Sequence, residues 1–195
     1  MANSVLVIAD SGTGKSTSIR TLDPTETFII NIANKPLPFK GWKSKYTQIT
    51  KDNPKGNLTS AATAPGIIKA MRHVNEKMGH IKTIVVDDWQ YMSSFEYFDR
   101  ANEKGYEKFT QIAANLAQVA KLPKDLREDL TIIFLTHSED STDINGNRKI
   151  KAKTVGKMID NTLTLEGLFS IVLFGKVNKN DDGELIYGFE TQNNG

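Results

Sequence analysis

The sequence predicts an α/β fold: a mostly parallel central sheet, flanked by helices and finished by an antiparallel hairpin. Three observations predict it. Short apolar, β-branched runs recur along the 195 residues. Stretches with a helical repeat of apolar positions lie between them, and the last two runs are separated by a turn-rich segment. Alternation of strand and helix favours a wound sheet with right-handed crossovers.

The first strand is Val5-Leu6-Val7-Ile8, and further strands are predicted over 28–32, 84–86, 132–135 and 171–174. Their continuous apolar character, in place of alternation, predicts burial on both faces of a parallel sheet. A helix is predicted over 62–78, where Ile67, Ile68, Met71, Val74 and Met78 share a face. The next runs from about Tyr91 to Leu122 and breaks near Gly105, with Phe109, Ile112, Ala113, Leu116, Val119 and Ala120 as its apolar stripe. Both stripes read as core. Residues 185–191 form a last strand after the turn-rich 178–183, which makes a hairpin with the strand at Ile171.

At 38% apolar content the chain can bury one sizeable core, so residues 1–195 are read as one domain. A formal net charge of +2 does not announce a nucleic-acid partner, which must be argued from local clusters. Cysteine is absent, which removes disulfides, thiol catalysis and cysteine-ligated metals. The histidines are His73, His80 and His137, and no pair has metal-ligand spacing. No run approaches a membrane span, and the N-terminal apolar run is too short for a signal peptide, so the expected location is the cytoplasm with no membrane partner.

Directly after the first strand comes Ala9-Asp10-Ser11-Gly12-Thr13-Gly14-Lys15-Ser16. A strand that runs into such a loop and then into a helix is the context of a phosphate-binding P-loop. Gly12 and Gly14 permit backbone angles that turn N–H groups toward a polyphosphate, and the helix is expected to add the positive end of its dipole. The nucleotide-holding set is Ser11, Gly12, Thr13, Gly14, Lys15, Ser16 and Thr17. Lys15 would reach the β- and γ-phosphates, and Ser16 would ligate Mg²⁺. Ala9 departs from the strict pattern, which opens on glycine.

The second half of the site is Thr83-Ile84-Val85-Val86-Asp87-Asp88, an apolar strand that ends in two carboxylates. Asp87 is the expected Mg²⁺ partner beside the P-loop. Asp88 reads either as the general base that polarises an attacking water or as the N-cap of the next helix. The run 131–137 would place Thr136 and His137 at a strand tip that faces the phosphates if that strand lies between the other two. There His137 would touch the γ-phosphate or the lytic water, against the plainer reading of a solvated strand end. The catalytic set is Lys15, Asp88 and His137.

These motifs, with Lys35-Pro-Leu-Pro-Phe-Lys-Gly-Trp42, Gly156-Lys-Met-Ile-Asp160 and Phe169-Ser-Ile-Val-Leu173, give the chain its resemblance to RecA-like P-loop (AAA-type) ATPases of bacteriophages, in particular the phage single-strand annealing and recombination ATPases. The resemblance extends over nearly the whole chain. It implies a RecA-like P-loop NTPase fold, ATP with Mg²⁺, single-stranded DNA as partner, a homo-oligomer, a replication or recombination partner protein, and the cytoplasm of a phage-infected bacterium. Many RecA-like proteins carry a catalytic glutamate after the second strand, whereas this chain reads Asn31-Ile32-Ala33-Asn34. The end, 189–195, reads as a family strand cut off before a further segment.

In RecA-like proteins the loop after the sensor strand contacts DNA. Here that stretch holds a turn at 143–147, then Arg148, Lys149, Lys151 and Lys153. Three of these lysines alternate with Ile150 and Ala152 and would share one strand face, suited to consecutive phosphates. The alternative is a solvated hairpin protected by lysines. A second basic segment, 35–55, interleaves Lys40, Lys43, Lys45 and Lys51 with Phe39, Trp42 and Tyr46, which suits single-strand tracking and base stacking, while Phe39 and Trp42 read first as packing. The resemblance also implies a cation supplied in trans, for which Lys176 and Arg148 are the candidates.

Three functional readings follow: a DNA-dependent ATPase of recombination or annealing, a nucleotide-gated DNA- or helicase-binding module with negligible turnover, and a small-molecule kinase. The scattered arginines, Arg20, Arg72, Arg100, Arg127 and Arg148, offer no lid for the kinase. No Asn-Lys-x-Asp guanine-reading motif occurs, which favours ATP over GTP.

Overall fold

In the computed structural model, which describes residues 1–142, 146, 148–155 and 164–191, strand β1 (Asn3–Ala9) lies inside the sheet. On one side it pairs in parallel with β5 (Thr131–Thr142), on the other with β7 (Ile171–Lys179). The remaining strands are β2 (Thr27–Asn31), β3 (Leu58–Thr59), β4 (Thr83–Asp87), β6 (Arg148–Ala152) and β8 (Leu185–Glu190). The order is β3-β2-β4-β5-β1-β7-β8, parallel from β3 to β7, and β8 closes the end as the antiparallel partner of β7. The predicted mostly parallel sheet with its terminal hairpin is therefore present.

Alternate strand residues feed two cores. Leu6, Ile8, Phe28, Ile30, Ile84, Val86, Ile132 and Phe134 face one side. There they meet Ile67, Met71 and Val74 of helix α3 (Ala64–Lys77), Met92 of α4 (Gln90–Asp99), and Ile112, Leu116 and Val119 of α5 (Glu107–Lys121). Thr63 caps α3 by accepting from the Gly66 N–H, with Pro65 in the first turn. Gly105, at φ +91°, lies in the break between α4 and α5. Val5, Val7, Ile29, Val85 and Leu135 face the other side, covered by Ile19, Leu37 and Tyr46. Phe39 and Trp42 pack on that second core, Trp42 opening the one-turn helix α2 (Trp42–Lys45), so the packing reading of these aromatics holds.

Two expectations need correction. The helix after the loop, α1, is only Lys15–Ser18, followed by a 3₁₀ turn at Ile19–Thr21. Ser18 and Thr21 hydroxyls donate to the carbonyls of Lys15 and Ser18 at 2.6 and 2.8 Å, competing with the helical ladder, and Asp23-Pro24 follows. A short helix contributes little macrodipole, so the anion cradle rests on the loop and Lys15. The strand at Ile171 is not buried on both faces either. Ile171 is exposed, Val172 and Leu173 are half-buried and Phe174 is buried, because β7 sits one strand from the edge. Outside β7, β8 exposes Leu185, Ile186, Tyr187 and Phe189.

Strand β5 is longer than predicted. Beyond His137 it leaves the main sheet and pairs antiparallel with β6, from Ser138 opposite Ala152 to Thr142 opposite Arg148. The turn expected at 143–147 lies, except for Gly146, outside the described residues, as do 156–160 and 192–195.

Candidate functional site

Because β5 lies between β4 and β1, the C-terminal ends of all three strands meet at one place. The register sets Ala9, where the glycine-containing loop begins, beside His137. Gly12 and Gly14 have φ of +80° and +89°, the left-handed region that side chains disfavour. The loop closes on itself: Thr13 Oγ1 donates to the Asp10 carbonyl at 2.7 Å, and the Asp10 carboxylate accepts from Ser138 Oγ on β5. Gly14 lies under the ring of Tyr187 on β8, 3.4 Å from where a Cβ would stand.

Lys15 is buried and folds back into the loop, where Nζ donates to the Ala9 and Asp10 carbonyls at 2.7 Å each. Burial lowers the Lys15 ammonium below its ordinary value, with Asp88, Asp10 and Asp87 acting in the opposite sense. Ser16 Oγ donates to Asp87 Oδ1 at 2.8 Å. Burial pushes the Asp87 carboxyl up to about 6, partly countered by the Ser16 hydrogen bond and reinforced by the charge of Asp88.

Asp88 is the most constrained residue of the site. Its φ of +59° is left-handed, a conformation rare outside glycine. The Trp89 N–H, donating to the Leu135 carbonyl at 2.8 Å, ties the following residue to β5. The Asp88 side chain is not the helix cap: Trp89 occupies the N-cap position of α4 and makes no side-chain cap. Instead Asp88 Oδ2 pairs with Lys35 Nζ at 2.6 Å, and Oδ1 lies 3.5 Å from His137 Nε2. Burial alone would raise the Asp88 carboxyl, but hydrogen bonds from His137 and Lys35 outweigh it and hold it below its ordinary value.

Three further residues join the site that motif reading missed. Lys35 opens the stretch 35–42 that carries the resemblance and the basic segment 35–55, but nothing there marked it as a partner of Asp88, to which the turn after β2 brings it. Gln90 is buried, and its Oε1 accepts from both Thr136 Oγ1 and the His137 N–H at 3.2 Å, linking the exit of β4 to β5. Tyr91 sits edge-on to His137, with its face under Lys35 Nζ at 4.8 Å. Gln90 and Tyr91 lie within three residues of the acidic pair, but no motif or periodicity marks them.

Asp10, Ser11, Gln90, Tyr91, His137 and Lys153 line a cleft of about 380 Å³ at this end of the sheet. Of the predicted nucleotide-site residues Ser11 and His137 line it, while the Lys15 bonds to the Ala9 and Asp10 carbonyls, the Ser16–Asp87 hydrogen bond and the His137–Asp88 contact hold the others at the same sheet end. Lys149 and Lys151 stand outside it on β6, opposite Ser141 and Glu139, so the basic row is interrupted by an acid across the ladder. Lys153 lies just past β6, its N–H donating to the His137 carbonyl at 2.8 Å, and it belongs to the cleft as much as to the row. Lys176 pairs with Glu190 at 2.7 Å within its own hairpin.

The donor chemistry fits a magnesium nucleotide. Ser16 and Asp87 present two hard oxygens within 2.8 Å, and among the described residues no group of three or more His, Asp or Glu could hold a metal alone. Mg²⁺ takes few protein oxygens and fills its octahedron with phosphate and water. Space above Gly12 is open, with no atom within 4 Å of a Cβ position. Among the described residues no helix is long and apolar enough to cross a membrane.

The family model described as AAA domain matches residues 1–194, and the chain belongs to that family. No curated protein matches it.

Proposed function

We propose that this AAA-domain chain binds Mg·ATP at the Asp10–Ser16 loop and hydrolyses it in a cycle coupled to single-stranded DNA. The observation that carries the reading is the meeting of Lys15, the Ser16–Asp87 pair, Asp88 and His137 at one sheet end. In this reading the loop backbone from Ser11 to Gly14, with Thr17, cradles the phosphates, and Lys15 exchanges its two loop carbonyls for phosphate oxygens. Ser16 and Asp87 would hold Mg²⁺, which would supply charge neutralisation to the phosphates. Asp88, held ionised, orients the attacking water and accepts its proton, while His137 contacts the γ-phosphate.

The route to DNA runs along β5. His137 and the residues of β5 that pair with β6 belong to one continuous strand, so a shift at the phosphate end has a path along β5 and across its ladder to Lys149 and Lys151. With Arg148 and Lys153 these lysines supply sequence-independent phosphate contacts. The biological setting we propose, on the resemblance alone, is phage recombination or single-strand annealing in the host cytoplasm, as a homo-oligomer with a recombination partner. A trans role for Lys176 requires its pair with Glu190 to open.

One observation favours the second reading, a nucleotide-gated module with negligible turnover. Asn31 stands opposite Asp87, and the carboxylate beside it, Asp88, is already engaged by Lys35. ATP hydrolysis measured with and without single-stranded DNA, with Lys15→Ala as blank, separates the two. DNA-stimulated turnover above the blank supports the ATPase, and ATP binding with blank-level turnover supports the module.

A further inference from the structure

We propose that Lys35 is a second γ-phosphate cation, supplied in cis and parked on Asp88 until a nucleoside triphosphate arrives. The inference rests on the nucleotide-binding reading above and adds to it a residue that determines selectivity for triphosphate over diphosphate.

The chain spends local structure on holding Lys35 where it is. Asn31, the last residue of β2, uses both ends of its side chain on the Lys35 backbone: Nδ2 donates to the Lys35 carbonyl at 2.6 Å, and Oδ1 accepts from the Lys35 N–H at 3.3 Å. Between them the chain turns through Asn34 at φ +51°, a left-handed residue whose side chain accepts from Ser60 Oγ at 2.8 Å. Asn31 itself is fixed beside the acidic strand, in register with Asp87, and the next N–H, of Ile32, donates to the Asp87 carbonyl at 3.3 Å. The base of Lys35 is thus anchored to the strand pair that carries Asp87.

The free end is placed but not buried. Nζ contacts Asp88 at 2.6 Å and lies over the Tyr91 ring, while the side chain stays 56% exposed. Through Asp88, the next residue after Asp87, it stands beside the Ser16–Asp87 pair at the end of the loop. The Asp88 end of the pair is buried, so Lys35 neutralises it in the nucleotide-free protein, and the exposed ammonium is the end able to move to a stronger anion. A triphosphate entering between Lys15 and Asp88 offers Lys35 a more highly charged partner than one carboxylate. Transfer of Lys35 to the γ-phosphate would free Asp88 to take the water, so cation and base are delivered in one exchange. ADP places no phosphoryl group there, and Lys35 would stay on Asp88.

The test is binding, not turnover. Affinities for Mg·ADP and for a Mg-bound non-hydrolysable ATP analogue are measured by calorimetry on the wild type and on Lys35→Met, with thermal melts of both proteins as the folding control. The expected result is a loss of about 10-fold or more in affinity for the triphosphate, the order of one charge-assisted contact, with ADP affinity within about twofold. Equal losses for both nucleotides, or none, overturn the proposal and leave Lys35 a neutraliser of Asp88. Failure of the wild type to bind either nucleotide instead overturns the parent reading and the proposal with it, a pattern that neither outcome for the variant produces.

Discussion

Ser16 Oγ donates to Asp87 Oδ1 at 2.8 Å, closing a gap of 71 residues between the end of the first strand's loop and the end of the acidic strand. The contact needs β5 between β1 and β4, and it leaves two oxygens poised where a divalent ion would replace the shared hydrogen.

Asp87→Asn should stabilise the nucleotide-free protein at pH 7.5. Burial lifts this carboxyl from 3.8 to about 6, with Asp88, Lys15 and Lys35 facing it. The folded state therefore keeps a proton that the unfolded chain has already released, so the stability present below pH 3.8 is lost as pH rises through about 6. Removing the charge should recover about 1–3 kcal/mol above that range, with the advantage fading as pH falls toward 4. Denaturant melts across pH check this, and a variant no more stable than wild type at pH 7.5 contradicts it. The same variant should lose Mg²⁺-dependent nucleotide affinity.

Asp88→Asn should separate binding from turnover. Loss of a general base costs on the order of 10²–10⁴ in rate. Single-turnover hydrolysis should fall by at least about 100-fold, while ATP affinity changes only a few-fold. An unchanged rate removes Asp88 from the chemistry.

Much of this site was legible in the sequence, because its parts are local patterns: glycines and a lysine after one apolar run, two carboxylates after another. The glycine-containing loop follows β1, the acidic pair stands at the end of β4, and His137 stands beside Ala9 on β5, the positions those patterns predict. Lys35 and Gln90 were not legible, since their roles depend on a left-handed turn at Asn34 and on a contact from α4 to β5 that no periodicity encodes. A helix does follow the loop, but its expected dipole contribution was overestimated, because helical spacing does not register hydroxyls that compete for backbone carbonyls. Burial of the strand at Ile171 was overestimated because apolar content alone does not tell an inner strand from one near the edge.

Charge reversal of Lys149 and Lys151 together should weaken single-stranded DNA binding and reduce its salt dependence, the slope falling by about 0.7 for each DNA phosphate no longer neutralised. Nucleotide affinity should stay unchanged, because both lysines stand outside the cleft. Fluorescence anisotropy over a salt series measures this, and an unaltered slope places the DNA-binding surface elsewhere.

The most direct test of the central claim is steady-state hydrolysis of Mg·ATP with and without single-stranded DNA, with Lys15→Ala measured alongside. The account predicts Mg²⁺-dependent turnover that DNA stimulates and that falls to background in the variant. Wild-type turnover indistinguishable from Lys15→Ala under every condition would contradict it.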